Sequence, residues 1–353
     1  MPAFPVDYGP LDGPGGLPGR VDPDRTVVMA DAFTRRYAPS AFPPSRIVDL
    51  PRGEAAKDLS VLESVYGALL AAGVGRDWTV LGLGGGTVCD VAGFAASTWM
   101  RGIDFGYAPT TLLAMVDAAV GGKNALNFGG FKNLLGTFAQ PRFTLVDTAT
   151  LASLPDRDLA CGLAEAAKHG VLDGPDHFAS LERACGSASR PAPASLESIV
   201  RASVRYKTGV AAADPRETGP RMRLNLGHTI GHAVEAAGGL PHGECVAVGL
   251  AAAFRLSAAN GGSSEDAARV TDFLRARGLP VTIGEAMARA AEIPPGGTPS
   301  DPDTFRAAVA EALKADKKRR GDDIVFVMPR AIGRVDLVPV PLEKLARFVR
   351  NMP

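Results

Sequence analysis

The chain has 353 residues, 46% of them hydrophobic, and its 38 basic and 38 acidic side chains cancel to no formal net charge at pH 7. That length accommodates two domains with sizeable cores, and the neutral balance leaves no charge excess to hold nucleic acid or a membrane surface. The first twenty residues lack the basic and apolar segments of a secretion signal, and no apolar run is long enough to span a bilayer, so a cytoplasmic protein is expected. Cys89, Cys161, Cys185 and Cys245 stand singly, which predicts reduced, mostly buried thiols rather than a disulfide framework or a zinc knuckle.

In chain order, the Pro- and Gly-rich opening predicts an irregular arm of about twenty residues. Apolar runs from Thr26 to Ala30, Arg46 to Leu50 and Thr79 to Leu83 read as strands, with a helical pattern from Ala55 to Ala72 between the last two. The run from Thr79 to Gly102 predicts a strand, a glycine turn and a helix apolar on nearly every side. Such a turn often holds a pyrophosphate on helix N–H groups, although Gly82-x-Gly84-Gly85-Gly86 lacks the spacing of the dinucleotide fingerprint and is equally a packing feature. A strand from Phe105 to Ala108 leads to a helix start at Pro109-Thr110-Thr111, and Phe143 to Asp147 closes the alternating portion. This alternation implies a parallel sheet and an α/β domain over residues 1–148. Residues 149–353 read as mainly α-helical, with helical patterns over Asp156 to Val171, Pro175 to Ala184, Leu196 to Ala213, Met222 to Ala237, Glu244 to Ala259 and Glu265 to Arg277, and an apolar segment from Ile324 to Met328.

Only nine of the 38 basic residues are lysine. Where arginine replaces lysine so generally, the lysines that persist mark positions at which the two are not interchangeable. Lys57, Lys123, Lys132, Lys168, Lys207, Lys317 and Lys318 lie in or near motif-like stretches, whereas Lys314 and Lys344 read as ordinary surface residues. Arg221, Asn225, His228 and His232, spaced by four, three and four, predict one polar stripe on a single helix, buried and facing a cavity because the flanking positions are apolar. Gly227 and Gly231 beside it predict close approach of another backbone. His242 follows a Gly-Gly-Leu-Pro turn and can fold back toward the first two histidines. Glu165 and Lys168 share a helix face, and that helix by itself suggests a surface ion pair. Two histidines and Glu165 would make a catalytic type of metal set, but spacing does not choose among His228, His232 and His242. His177 reads as a surface residue at a helix start.

The motifs G-G-G-T-V-C-D-V-A-G-F, M-R-G-I-D-F, P-T-T-L-L-A-M-V-D-A-A-V-G-G-K, F-K-N-L-L-G, G-L-A-E-A-A-K-H-G, N-L-G-H-T-I-G-H, L-P-H-G-E and D-K-K occur in that order. Together they resemble the dehydroquinate synthase, or sugar phosphate cyclase, family from about Thr26 to Leu337. The resemblance implies a Rossmann-like NAD-binding domain followed by a mainly α-helical metal- and substrate-binding domain, in a homodimer. It implies that Glu165, His228 and His242 ligate zinc, with cobalt as an alternative. It assigns NAD to Gly84, Gly85, Gly86, Asp90, Thr110 and Thr111, with Glu54 and Lys57 as the family's E-x-x-K and with Lys123 and Lys132 nearby. Arg101, Asp117, Lys123, Lys132, Asn133, Lys168, Lys207, Arg221, Asn225 and His232 match substrate-pocket positions, and Lys317 or Lys318 closes the pocket.

The activity so implied converts 3-deoxy-D-arabino-heptulosonate 7-phosphate to 3-dehydroquinate and phosphate by transient NAD oxidation, phosphate elimination, re-reduction and aldol cyclisation. A substrate bearing carboxylate and phosphate accounts for local cation clusters in a neutral protein. Cys89, Phe131 and His169 depart from the commoner family residues. Lys207 and Asn225 are retained where valiolone-forming cyclases usually differ, and V-G-G-K is intact, which favours a carboxylated substrate. The amino analogue made by aminodehydroquinate synthase, a polyol dehydrogenase, and an NAD- and zinc-retaining protein without catalysis are the alternatives.

Overall fold

The computed structural model describes residues 5–187, 190–293, 301–315 and 319–353. Contacts divide the chain into two compact units, Met1–Leu154 with Ser203–Arg216, and Pro155–Ala202 with Glu217–Pro353.

The first unit contains a six-stranded parallel sheet built from β1 (Val6–Tyr8), β2 (Thr26–Asp31), β3 (Ile47–Leu50), β4 (Thr79–Gly84), β5 (Asp104–Pro109) and β8 (Phe143–Val146). Their order across the sheet is β1-β8-β5-β4-β2-β3. Side chains alternate across a strand. Val27, Met29 and Val80 therefore join one apolar cluster while Val28, Ala30, Leu81 and Leu83 join another. Covering both faces is what a parallel sheet requires. Helices α1 (Leu59–Ala71) and α2 (Gly86–Thr98) connect strands, and β6 (Lys123–Phe128) and β7 (Phe131–Phe138) form an antiparallel hairpin. The opening stretch is less irregular than its composition suggests, because Val6–Tyr8 pairs in parallel with β8.

The second unit holds α3 (Asp156–Asp173), α4 (Pro175–Cys185), the first part of α5 (Pro193–Ala213), α6 (His228–Gly238), α7 (His242–Ala258), α8 (Ser264–Ala276), α9 (Ile283–Ala290) and α10 (Pro302–Ala312). It also contains a sheet of β9 (Arg319–Arg320), β10 (Asp323–Ala331) and β11 (Arg334–Pro341), followed by α11 (Leu342–Arg350), so the apolar segment at Ile324 is one arm of a hairpin. Helices α6 and α7 lie nearly backbone to backbone: a Cβ at Gly249 would sit 1.8 Å from the Gly227 carbonyl oxygen, and one at Gly231 would sit 2.9 Å from that of Cys245. Their glycines serve this contact.

Three readings are corrected here. The stripe from Arg221 to His232 does not lie on one helix: Arg221 and Asn225 belong to a 3-10 turn, Pro220–Asn225, and Gly227 at φ +79° breaks the chain before α6 begins. Left-handed backbone of this kind suits glycine and ends a helical run. His232 is exposed rather than buried. His177 is buried, with Nδ1 2.8 Å from Asp173 Oδ2.

Candidate functional site

In the first unit the geometry centres on the end of β4. Gly85 precedes α2 with no side chain capping the first turn, so leading N–H groups of the helix remain for a ligand. A Cβ at Gly84 would meet Val88 at 2.7 Å and one at Gly86 would meet Ala118 at 2.9 Å, so neither of these two positions takes a side chain without a shift. The Thr110 N–H donates to the Gly84 carbonyl at 2.9 Å, and Thr111 Oγ1 accepts from the Ala114 N–H at 3.1 Å. Asp90 lies in the second turn of α2. Burial pushes its carboxyl above the usual range, against the pull of Lys57, whose buried ammonium pairs with it. Lys57 also donates to Asn133 Oδ1 at 2.8 Å, while Asn127 Nδ2 donates to Glu54 Oε2 at 2.9 Å. Both ends of the E-x-x-K turn thereby hold the β6–β7 hairpin, on which Asn133 adopts φ +52°. Lys123 and Lys132 of the hairpin are exposed.

Arg101 is exposed and follows Met100, the two having φ +71° and +50°. Successive left-handed residues other than glycine cost about 1–2 kcal/mol each, strain of the kind found at functional sites. Lys207 donates to Asp117 at Oδ1, 2.6 Å, and at the main-chain oxygen, 2.5 Å, with Asp117 on a π-helical turn, Ala114–Ala118.

In the second unit Glu165 and Lys168 are wholly buried on α3 and paired, so the surface ion pair suggested by that helix alone is not what the fold makes. Packing of α3 against α7 removes them from water. His228 is the first residue of α6, and its Nδ1 lies 3.0 Å from the Leu226 carbonyl oxygen. A carbonyl only accepts, so Nδ1 carries the proton and Nε2 offers its lone pair. His242 is the first residue of α7, with Nδ1 3.2 Å from Glu235 Oε2. The two Nε2 atoms stand 3.6 and 3.4 Å from Glu165 Oε1, the His228 atom being the farther. Those separations exceed normal hydrogen bonds, and Oε1 has no hydrogen-bond partner among the described residues.

They do suit a shared cation. Ligand atoms on a tetrahedral zinc with bonds of 2.0–2.1 Å lie about 3.3 Å apart, and the donor atoms of Glu165, His228 and His242 all fall within 4.8 Å of one another. Glu165 and His228 already hold the charge states of ligands, and His242 is one proton away from its own. Burial opposes ionisation of Glu165, but Lys168 and the imidazoles hold it well below the usual carboxylate range. Burial, helped by Lys168, keeps His228 well below its ordinary value and so neutral. For His242 burial pulls downward, yet Glu165 and Glu235 outweigh it and carry the ring up to about 10. An arriving dication would displace that proton.

The three imidazoles cluster, with ring centroids of His228 and His242 5.3 Å apart and His232 at 5.1 and 5.8 Å from them. Arg221 is buried, and Asn225 Nδ2 donates to Glu217 Oε1 at 2.6 Å. The first turn of α7 is fixed by Glu244, which accepts two hydrogen bonds from Arg157 at 2.8 and 2.9 Å and pairs with Arg289. Glu217, Glu235 and Asn127 were not singled out from the sequence; Glu235, seven residues after His228 and so on the same face of α6, was the one discoverable by spacing. Lys317 and Lys318 lie outside the described residues.

Residues 47–161 match the family model described as 3-dehydroquinate synthase N-terminal, and residues 162–295 match that described as 3-dehydroquinate synthase C-terminal. The chain belongs to the 3-dehydroquinate synthase family. Within the family, the 3-dehydroquinate synthase of Pelobacter propionicus is 40% identical over 353 residues, covering 96% of this chain and 93% of the relative. Among solved structures, a 2-deoxy-scyllo-inosose synthase complexed with carbaglucose-6-phosphate, NAD+ and Co2+ is similar at TM-score 0.82 and 27% identity, over 99% of this chain and 98% of that one. A 2-epi-5-epi-valiolone synthase from Streptomyces hygroscopicus with NAD+ and Zn2+ bound is similar at TM-score 0.80 and 27% identity, over 99% and 97%. Membership of the 3-dehydroquinate synthase family makes the chain an enzyme of the sugar phosphate cyclase type, a carbon–oxygen lyase.

Proposed function

We propose that this enzyme acts on 3-deoxy-D-arabino-heptulosonate 7-phosphate, with NAD held by the first unit and zinc, or cobalt in its place, by Glu165, His228 and His242 of the second. The observation carrying the metal part is the group of three donor atoms, Glu165 Oε1 with the Nε2 atoms of His228 and His242, each imidazole having its other nitrogen engaged. The cap-free glycine turn at Gly84, Gly85 and Gly86, with Asp90, Thr110 and Thr111 beside it, supports the nucleotide part. The same reading takes the protein as a cytoplasmic homodimer.

When bound, the metal supplies Lewis acidity toward vicinal hydroxyls. NAD supplies reversible hydride acceptance, so none is consumed over a turnover. The chain's own residues orient and neutralise. Lys168 balances the Glu165 charge and holds a proton beside the metal group. Arg221 offers donors to the substrate carboxylate, and Asn225, whose amide nitrogen is held by Glu217 and the Met222 carbonyl, offers its amide oxygen to a hydroxyl. Arg101, Lys123, Lys132, Asn133 and Lys207 offer cations and an amide to its anionic groups, with Asp117 holding Lys207. His232, exposed beside the two ligand imidazoles, hands protons on and off.

The test is release of phosphate from the heptulosonate phosphate with substoichiometric NAD and one equivalent of zinc. Release with no net NADH is expected. Failure to release phosphate while zinc and NAD remain bound would sink the reading, and faster turnover of the amino analogue would move it to aminodehydroquinate synthase.

A further inference from the structure

We propose that Glu235 is a positioning residue for His242, fixing the imidazole so that Nε2 is available to metal; this rests on the metal-site reading above. The two ligand imidazoles are held by different means. His228 is held by the main chain, through the Leu226 carbonyl at 3.0 Å. Among the described residues no main-chain group takes that role for His242. It opens α7 directly after Pro241, its side chain is 29% exposed, and its Nδ1 faces Glu235 Oε2 at 3.2 Å. Glu235 comes from a different helix, α6, seven residues beyond His228 and so on the same face, and is only 7% exposed.

A carboxylate at this position accepts from Nδ1–H, so the proton that an arriving metal displaces is the one on Nε2, 3.4 Å from Glu165 Oε1. Without it the neutral ring is free to place its proton on Nε2 and donate to Glu165. Such a hydrogen bond ties up two metal ligands at once. Glu235 thus fixes the tautomer of the neutral ring that metal binds.

Glu235 also belongs to a second donor group, with His232 and His242, whose ligand atoms lie within 4.8 Å of one another. A role as ligand rather than positioner predicts a second ion, and stoichiometry separates the two. Co2+ is titrated into the metal-free protein, read by its visible ligand-field absorption and by competition with a chelator. Glu235→Ala is expected to weaken Co2+ binding about 10- to 100-fold. Glu235→Gln, whose amide oxygen still accepts from Nδ1–H, recovers most of that loss, and NAD binding to the metal-free protein is unchanged in both. Glu235→Leu, similar in volume and unable to accept, takes the place of the alanine variant if that fails to fold. Unmoved Co2+ affinity in a folded but less stable variant overturns the proposal, as do two ions per parent chain falling to one in the variant. His242→Ala separates the readings: Co2+ lost there but not in Glu235→Ala refutes the role of Glu235 alone, whereas Co2+ kept in His242→Ala refutes the metal site and the proposal with it.

Discussion

Gly243→Ala tests whether the packing of α3 on α7 sets the ligand spacing. A Cβ at Gly243 would lie 2.3 Å from Cys161 Cα, 2.4 Å from its carbonyl oxygen and 2.5 Å from its Cβ, where ordinary contact begins at 3.4 Å. The nearest atoms are backbone, so no rotamer change relieves the clash, and the helices must part locally by about 1 Å. Overpacking of this sort costs about 1–3 kcal/mol, and the upper end applies because α7 is also clamped to α3 through Glu244 and Arg157. His242 is the adjacent residue. Moving its Nε2 outward by the same amount stretches the separation from Glu165 from 3.4 Å to about 4.4 Å, well past the tetrahedral edge of about 3.3 Å. Urea denaturation of the metal-free variant should show a loss of about 3 kcal/mol, and chelator competition should show zinc affinity reduced more than about tenfold. A variant as stable as the parent that binds zinc equally well would refute the claim that this helix contact spaces the ligands.

Replacing His242 with Ala should abolish zinc retention through dialysis, whereas replacing His232, whose ring is exposed beside the ligands, should leave zinc bound and impair turnover; equal zinc loss from both would reverse that assignment. Lys57→Ala strips the partly buried Asp90 carboxylate of its ammonium, and the broken pair should cost about 3 kcal/mol in denaturant titrations while weakening NAD binding; an unchanged midpoint would show that Asp90 finds another partner. The four cysteines are free and buried, and burial raises the Cys161 thiol to about 12 and that of Cys185 to about 11. At pH 8 these two are thiolate at on the order of one part in a thousand to ten thousand, so a chromogenic thiol reagent should react only as the protein unfolds, and a fast native phase would contradict their burial.

The sheet was legible because its strands are long apolar runs separated by a helix or a glycine turn, and the runs at Thr26, Arg46, Thr79, Phe105 and Phe143 all became strands. Val6–Tyr8 was not, since three residues among prolines carry too little pattern. The β6–β7 hairpin escaped for a related reason: Phe131, Leu134 and Phe138 are exposed, so period-two burial never imprinted on it. In the candidate metal region the residue types were legible and their arrangement was not. Fourfold spacing invited one continuous helix from Arg221 to His232, which the left-handed Gly227 forbids. Burial of Glu165 and Lys168 depends on α7, more than seventy residues downstream, and no reading of α3 by itself supplies it.

The discontinuity of the first unit bears on how the protein is made. Asp117 is paired with Lys207, ninety positions later, and the unit takes in Ser203–Arg216 after the chain has left at Leu154. A nascent chain that has emerged to Leu154 holds every strand of the parallel sheet but not the lysine that neutralises Asp117. At about 5–20 residues per second, several seconds of synthesis separate those events. Closing so long a loop adds slowly growing entropy and a high contact order to the final step. The sheet therefore has time to form first, and the completed first unit arrives as a late, post-emergence event; a fragment cut at Leu154 would reproduce the intermediate rather than the finished unit.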